Sequence, residues 1–152
     1  IGTAPIVSYN YGSQNHGELK SIFKKSITIL CASSVVMFAL ALILAKPLSI
    51  IFVGYDENLL ELTKKAFIYF SFSFLFAGIP MFASAFFTAL NNGFISATVS
   101  LLRTVVFQIA FVLIMPLIFG VDGIWISLAC AELCALTVAA ILLAVYKRKY
   151  HY

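Results

Sequence analysis

Charged residues are scarce in this sequence: Asp, Glu, Lys and Arg make up 11% of its 152 residues, whereas soluble proteins contain about 25%. Hydrophobic residues make up 62%, which is more than a soluble domain of this length can bury. The mean hydropathy of +1.05 reflects long runs without charge, and bilayer is the natural solvent for such runs. We therefore expect the lipid bilayer to be the partner of this chain. Its net charge of +4 indicates membrane topology and no nucleic acid ligand.

The sequence also lacks the residue patterns from which an enzyme, a metal site or an ATPase is built. Both histidines, His16 and His151, lie outside the apolar runs. Within those runs there are no paired acids and no serine with a base, and the chain has no Gly-rich phosphate loop. We therefore expect no enzyme, no cofactor and no bound metal. Three cysteines lie in apolar runs without metal-ligand spacing, and we assign no redox role to Cys31, Cys130 and Cys134.

Four apolar runs are long enough to cross a bilayer. They cover residues 27–52, 66–90, 95–119 and 123–146. The uncharged part of the first run extends over roughly 28 Å as a helix, close to the hydrocarbon thickness. Residues 17–26 alternate lysines with apolar residues at the spacing of an interfacial helix, which we expect to lie along the membrane surface. The fold prediction is an all-α, polytopic transmembrane helix bundle.

Three groups of helix-ending residues follow one another in an order that resembles a known family. In chain order, the groups are Gly2, Pro5, Ser8-Tyr9-Asn10-Tyr11-Gly12 and Asn15; Ala89-Leu90-Asn91-Asn92-Gly93 with Leu101-Leu102-Arg103; and Pro116, Phe119-Gly120 and Asp122-Gly123-Ile124-Trp125. At these separations the chain resembles the multidrug and toxic compound extrusion (MATE) family. The resemblance covers nearly the whole sequence.

The resemblance implies a twelve-helix transporter of two six-helix lobes, which exports organic cations or drugs in exchange for Na⁺ or H⁺. This chain would be part of the C-terminal lobe, from the end of the eighth helix to the twelfth. It would work with the missing N-terminal lobe in the plasma membrane. The start at Ile1 lacks an initiator Met and signal-peptide features, which predicts a fragment. In one departure, residues 66–90 lack the acid that some branches carry on the tenth helix.

Two alternative functions remain open at this point. A lipid-linked oligosaccharide flippase of the same wider superfamily would share the architecture, but such proteins usually show more cationic residues in the cavity than Arg103. A membrane interaction protein that transports nothing is the second alternative. It would give no reason for an acid within a span or for the ordered motifs.

Glu132 is the acid that lies within a predicted span, where an ionisable side chain costs several kcal/mol unless it faces a cavity or a partner. Counted from Gly123, it lies roughly 14 Å below the outer end of its helix, near the midplane. Small residues that allow close helix approach recur beside it, at Ser127, Ala131, Ala135 and Ala139. Glu132 is therefore predicted to face the bundle interior, either as a transport residue or as a hydrogen-bonded packing residue.

Depth along the third span suggests a partner for Glu132. Gln108 lies roughly 16 Å and Arg103 roughly 24 Å below the outer surface. Gln108 therefore matches the depth of Glu132, and we predict that these two residues pair. Arg103 is interpreted as an anchor whose side chain extends to the cytoplasmic interface, in preference to a contact with substrate or lipid phosphate.

Each of the other candidate functional residues has two interpretations. Tyr9, Asn10 and Tyr11 could line the cytoplasmic mouth of a cation pathway or simply end a helix. Pro80 frees the carbonyl of Phe76 and should kink its helix, which would serve either gating or packing. Four phenylalanines on the second span are expected to face lipid, with cation binding as the alternative: Phe70, Phe74, Phe82 and Phe86.

The distribution of basic residues predicts the topology. Lys20, Lys24, Lys25, Arg103, Lys147, Arg148 and Lys149 fall on one side, and Lys46, Lys64 and Lys65 fall on the other. Seven basic residues against three make the first side cytoplasmic, together with the C-terminal end. With single cysteines introduced at Asp56 and at Lys149, we expect an impermeant thiol reagent added outside to label only the first. Outside labelling at Lys149 would contradict the topology.

Overall fold

The computed structural model describes residues 2–152, and each regular element within them is a helix. The elements are α1 (Ala4–Gly12), α2 (His16–Val53), α3 (Glu57–Ala89), α4 (Gly93–Leu101), a π-helical segment (Leu102–Phe107), α5 (Gln108–Phe119) and α6 (Val121–Tyr150). Together, α4, the π-helical segment and α5 form one span. With α2, α3 and α6 this gives four helices that are long and apolar enough to cross a membrane. The predicted all-α fold is confirmed.

Polar side chains fix where the long helices begin. Asn15, Asp56 and Asn92 each accept hydrogen bonds from backbone N–H groups of the following turn at 2.9 to 3.3 Å. These caps satisfy donors that the first turn of a helix leaves unpaired. The connections before α3 and α4 are only a few residues long, so consecutive spans run antiparallel.

The prediction of a separate surface helix at residues 17–26 is corrected by the structure. These residues are the first turns of α2, which continues as one helix of 38 residues from His16 to Val53. Their apolar side chains belong to the same face as the rest of the helix: Leu19 is fully buried, and Ile22 and Phe23 pack against the core. No Gly or Pro separates the two parts, so the backbone has no reason to break between them.

Helix α3 is the centre of the bundle, because α2 packs on one side of it and α6 on another. Near the end of α3, Phe82 and Phe86 stack on each other and both contact Phe23, and Phe86 also contacts Tyr152, with ring centroids 4.8 to 5.9 Å apart. Phe82 and Phe86 therefore form core, and the expectation that they face lipid is wrong. Phe70 in the other half of α3 is 40% exposed.

The small residues of α6 lie at its contact with the bundle. Ser127, Ala131, Ala135 and Ala139 are between 0% and 3% exposed. Side chains of this size let two helix backbones approach closely, and van der Waals packing then holds the helices together in lipid. The same face of α6 carries Glu132, which is also buried, as the pattern of small residues predicted.

The turn between α5 and α6 depends on a glycine that touches backbone. A Cβ atom on Gly123 would lie 2.8 Å from the nitrogen of Pro116 and would overlap the carbonyl of Met115. Neither group can move without shifting the end of α5. The neighbouring Gly120 has a positive φ of 62° and donates its N–H to Pro116 at 2.9 Å, which closes the turn.

Replacing this glycine should destabilise the protein. We expect Gly123→Ala to lower the free energy of unfolding by about 1–3 kcal/mol, because the added methyl overpacks a rigid backbone contact. Thermal melts of the purified protein in detergent would measure the change. Gly93→Ala is the matched control, since a Cβ there meets no atom within 4 Å, and an equal loss in both variants would contradict the argument.

Candidate functional site

Arg103 and Glu132 form an ion pair between the π-helical segment and α6. The Arg103 Nε donates to both carboxylate oxygens of Glu132, at 2.9 and 3.1 Å, and its Nη2 donates to Oε1 at 2.7 Å. The side chains are only 17% and 5% exposed, respectively. Two N–H groups on one carboxylate give the bidentate geometry in which guanidinium pairs are strongest. Within residues 2–152, this is the one salt bridge.

This pairing corrects two predictions made from depth. Glu132 does not pair with Gln108. The Arg103 side chain points into the bundle toward Glu132 instead of only extending to the cytoplasmic interface. Gln108 is partly buried and makes no side-chain hydrogen bond with any described residue. A role for Gln108 in an ion pathway stays a prediction.

The depth argument failed for physical reasons. Helix α6 begins at Val121 and not at Gly123, which places Glu132 roughly 16 Å from its start, so that backbone depth alone still favours Gln108. The segment that carries Arg103 is π-helical, so its turns contain more residues than an α-helical turn. In addition, the long arginine side chain reaches well beyond its own Cα. Comparing backbone depths alone therefore overestimated the separation.

Arg103 also lines a cleft of about 650 Å³ between α2, α3 and α4. Ser84 of α3 and Ser100 of α4 contribute hydroxyl groups to its wall, and Leu30, Met81 and Phe82 contribute apolar surface. The guanidinium thus contacts Glu132 and at the same time borders the cleft. This arrangement joins a buried charge pair to a space large enough for a small organic molecule.

Four hydroxyl groups form a hydrogen-bonded chain along this side of the bundle. The Oγ of Ser84 lies 2.7 Å from that of Ser100 and 2.9 Å from that of Ser96, and Thr88 Oγ1 lies 2.7 Å from Ser96 Oγ. Sequence reasoning missed this chain. Its signal is the four-residue spacing of the two pairs, Ser84 with Thr88 and Ser96 with Ser100, which places each pair on one face of a helix.

The residues of α1 lie apart from the ion pair. Tyr9 is 75% exposed. Asn10 is buried and donates its side-chain N–H to its own helix at Ile6 O, 2.8 Å away, and the ring of Tyr11 meets that of Tyr150 edge-on at 5.6 Å. None of the three lines the cleft beside Arg103 among the residues described. Their contacts are those of a packed helix end, and a role at a pathway mouth stays a prediction.

Pro80 lies in the interior of α3, which continues as a helix on both sides of it. The side chain is fully buried, and its near neighbours Gly78 and Phe82 line the cleft. Pro80 is thus placed beside the candidate site. A gating role stays a prediction.

The fold and the site together define a class of protein. Four apolar helices with a charge pair buried between two of them are features of a multi-pass membrane protein, and an ionisable pair beside a cleft is typical of membrane transport proteins. The family model MatE matches residues 1–114. The chain belongs to this family of MATE transporters. Arg103 lies within the matched residues, whereas Glu132 lies beyond them.

A solved structure shows the same fold. The chain superposes on the crystal structure of the Vibrio cholerae MATE transporter VcmN in the bent form with a TM-score of 0.86 and 15% sequence identity. The match covers 97% of this chain and 33% of that chain, so the chain spans about a third of the length of the transporter. Among curated proteins, no match was found.

The energetics of the ion pair can be tested by a double-mutant cycle. We expect Arg103→Met alone, or Glu132→Leu alone, to lower the free energy of unfolding by about 3–5 kcal/mol, since each leaves one buried charge without its partner. The double variant Arg103→Met/Glu132→Leu should recover most of this loss, because an apolar pair of similar volume needs no compensation. Thermal melts of the three variants would supply the values.

Gln108→Leu provides the control for this cycle. It removes a polar side chain of the same span that makes no side-chain hydrogen bond with the described residues, so its melting temperature should stay near that of the wild type. Losses that simply add in the double variant would show that Arg103 and Glu132 do not depend on each other.

Proposed function

We propose that this chain is part of a secondary active antiporter that exports organic cations in exchange for Na⁺ or H⁺. It would act in the plasma membrane with its C-terminal end in the cytoplasm, together with the N-terminal lobe of a longer chain. Membership of the MATE transporter family supports the proposal. The excess of basic residues at one end of the helices supports the orientation.

The buried Arg103–Glu132 pair is the observation that carries the proposal. Removing two charges from water costs several kcal/mol for each ion, and their mutual attraction often does no more than offset this cost. An apolar pair would hold the two helices equally well. A charge pair at this place adds something that an apolar pair lacks, namely a carboxylate that a cation can bind.

Competition for this carboxylate offers a physical basis for exchange. When Glu132 is paired with Arg103, the charge of the guanidinium is neutralised. When a proton or Na⁺ occupies Glu132, the positive charge of Arg103 is left without compensation at the border of the cleft. An organic cation in the cleft is then repelled, because like charges interact strongly at low dielectric constant. Binding of the coupling ion would therefore favour release of the exported cation.

The cleft itself has suitable walls for such a substrate. Phe82 presents an aromatic ring, and aromatic rings attract organic cations through their faces. The hydroxyl oxygens of Ser84 and Ser100 can accept hydrogen bonds from an ammonium group. The flippase alternative is less well supported, since Arg103 is the one cationic residue that lines this cleft among the residues described and it is already paired with Glu132.

A transport assay tests the role of Glu132. The full-length protein would be reconstituted in proteoliposomes, and export of a fluorescent organic cation would be followed under an imposed Na⁺ or proton gradient. We expect Glu132→Gln to reduce gradient-driven export to the rate seen without a gradient, because the amide keeps the size of the side chain but binds no proton or Na⁺. Its thermal melt would confirm that the variant is folded.

Glu61→Gln is the matched control for this assay. It makes the same chemical change at an exposed position of α3, and export should match that of the wild type. If Glu132 served packing alone, Glu132→Gln would transport normally, and Glu132→Ala would lose only stability, by the about 3–5 kcal/mol expected when Arg103 is left without its partner. Normal export in Glu132→Gln would remove Glu132 from the mechanism.

A further inference from the structure

A second pocket lies where α2 begins and α6 ends, away from the ion pair. It has a volume of about 250 Å³, and three lysines line it: Lys20 and Lys24 from α2, and Lys147 from α6. Phe23 and Ile27 form its apolar wall. Three lysine side chains therefore border one concave space at the same end of the bundle.

These lysines have no acidic partner. Among residues 2–152 the only salt bridge is that of Arg103 with Glu132, and no Asp or Glu lines the pocket. Lys20 and Lys24 are four residues apart on one helix, a spacing at which like charges repel. A bound anion would relieve this repulsion.

The hydroxyl groups of the pocket are already used within the protein. Thr28 Oγ1 donates to the carbonyl of Lys24 at 2.9 Å, and the Tyr152 hydroxyl donates to the carbonyl of Leu143 at 2.7 Å. The free donors of the pocket are thus the three ammonium groups. This favours a ligand that is anionic and accepts several hydrogen bonds, as phosphate does.

The position of the pocket adds a second requirement to the ligand. Lys20 and Lys24 precede the uncharged stretch of α2, which continues to Ala45, and Ile27 lies at the start of that stretch. The pocket is therefore charged toward the helix end and apolar toward the membrane interior. A ligand that fits both parts has an anionic head and a hydrocarbon chain.

We propose that this pocket binds the phosphate group of an anionic phospholipid, with an acyl chain lying along Ile27. Basic pockets between helices at the membrane boundary are suited to such headgroups. Helices α2 and α6 pack mainly on α3 and not on each other. A lipid bound to lysines of both helices would connect them directly and stabilise this end of the bundle. The proposal does not depend on transport activity.

The chain offers matched controls among its other basic residues. Lys25 is adjacent to Lys24 in sequence but does not line the pocket. Lys149 lies two residues after Lys147, and its Nζ is placed over the rings of Tyr146 and Tyr150, 5.8 and 5.6 Å from their centroids. Substitutions at these two positions change the net charge equally at the same end of the protein.

Lipid binding to the full-length protein would test the proposal. Native mass spectrometry in mixed phosphatidylglycerol and phosphatidylcholine would measure the affinity for phosphatidylglycerol. We expect Lys24→Gln and Lys147→Gln each to weaken binding about fivefold, from the contribution of one lysine near a membrane surface. Lys25→Gln and Lys149→Gln should leave the affinity within twofold of the wild type.

Two outcomes would overturn the proposal. Equal losses in the pocket and control variants would show a diffuse attraction to net charge and no site. A second arm distinguishes the source of the phosphate. Inorganic phosphate added to the protein in pure phosphatidylcholine should not raise its melting temperature. Phosphatidylglycerol added to the same lipid should raise the melting temperature of the wild type more than it raises the melting temperature of Lys24→Gln. Stabilisation by inorganic phosphate alone would assign the pocket to a soluble anion.

Discussion

The cost of placing charge in a bilayer is the constraint on which this structure depends. Four helices supply apolar surface to the lipid, and backbone polar groups are satisfied within each helix. An ionised side chain inside such a bundle must find a partner of opposite charge or face a cavity. Arg103 and Glu132 meet both conditions, since they bind each other and the guanidinium borders the cleft. The buried face of α6 and the position of the π-helical segment are arranged around this pair.

Close packing is what makes that pair possible. The small residues of α6, from Ser127 to Ala139, hold this helix near its neighbours, so that the carboxylate lies within reach of the guanidinium. On the other side of α4, hydroxyl groups connect this helix to α3. Two kinds of polar contact therefore fix the third span: charge toward α6 and hydroxyl groups toward α3. Both are stronger in a low-dielectric interior than they would be in water.

Sequence reasoning predicted the parts of the structure that depend on hydropathy and spacing alone. The apolar runs identified the four helices, and the four-residue repeat of small residues identified the buried face of α6. Sequence reasoning failed where the length of a side chain and the rotation of a helix about its axis determine which residues touch. Arg103, which pairs with Glu132, lies on a π-helical segment that no residue pattern predicts. Phe82 and Phe86 are covered by Phe23, a residue distant in sequence. The continuity of α2 through residues 17–26 depended on core contacts of Leu19 that periodicity does not reveal.

The fold and the site carry different amounts of information about function. A fold shared with VcmN at 15% identity shows that this architecture persists while most side chains differ. Glu132 lies beyond residues 1–114, which match the family model, and its partner lies within them. The family match therefore does not cover both residues of the ion pair, and the evidence for the pair is its own geometry. That geometry joins a buried carboxylate to the cleft through the guanidinium of Arg103, which contacts Glu132 and lines the cleft.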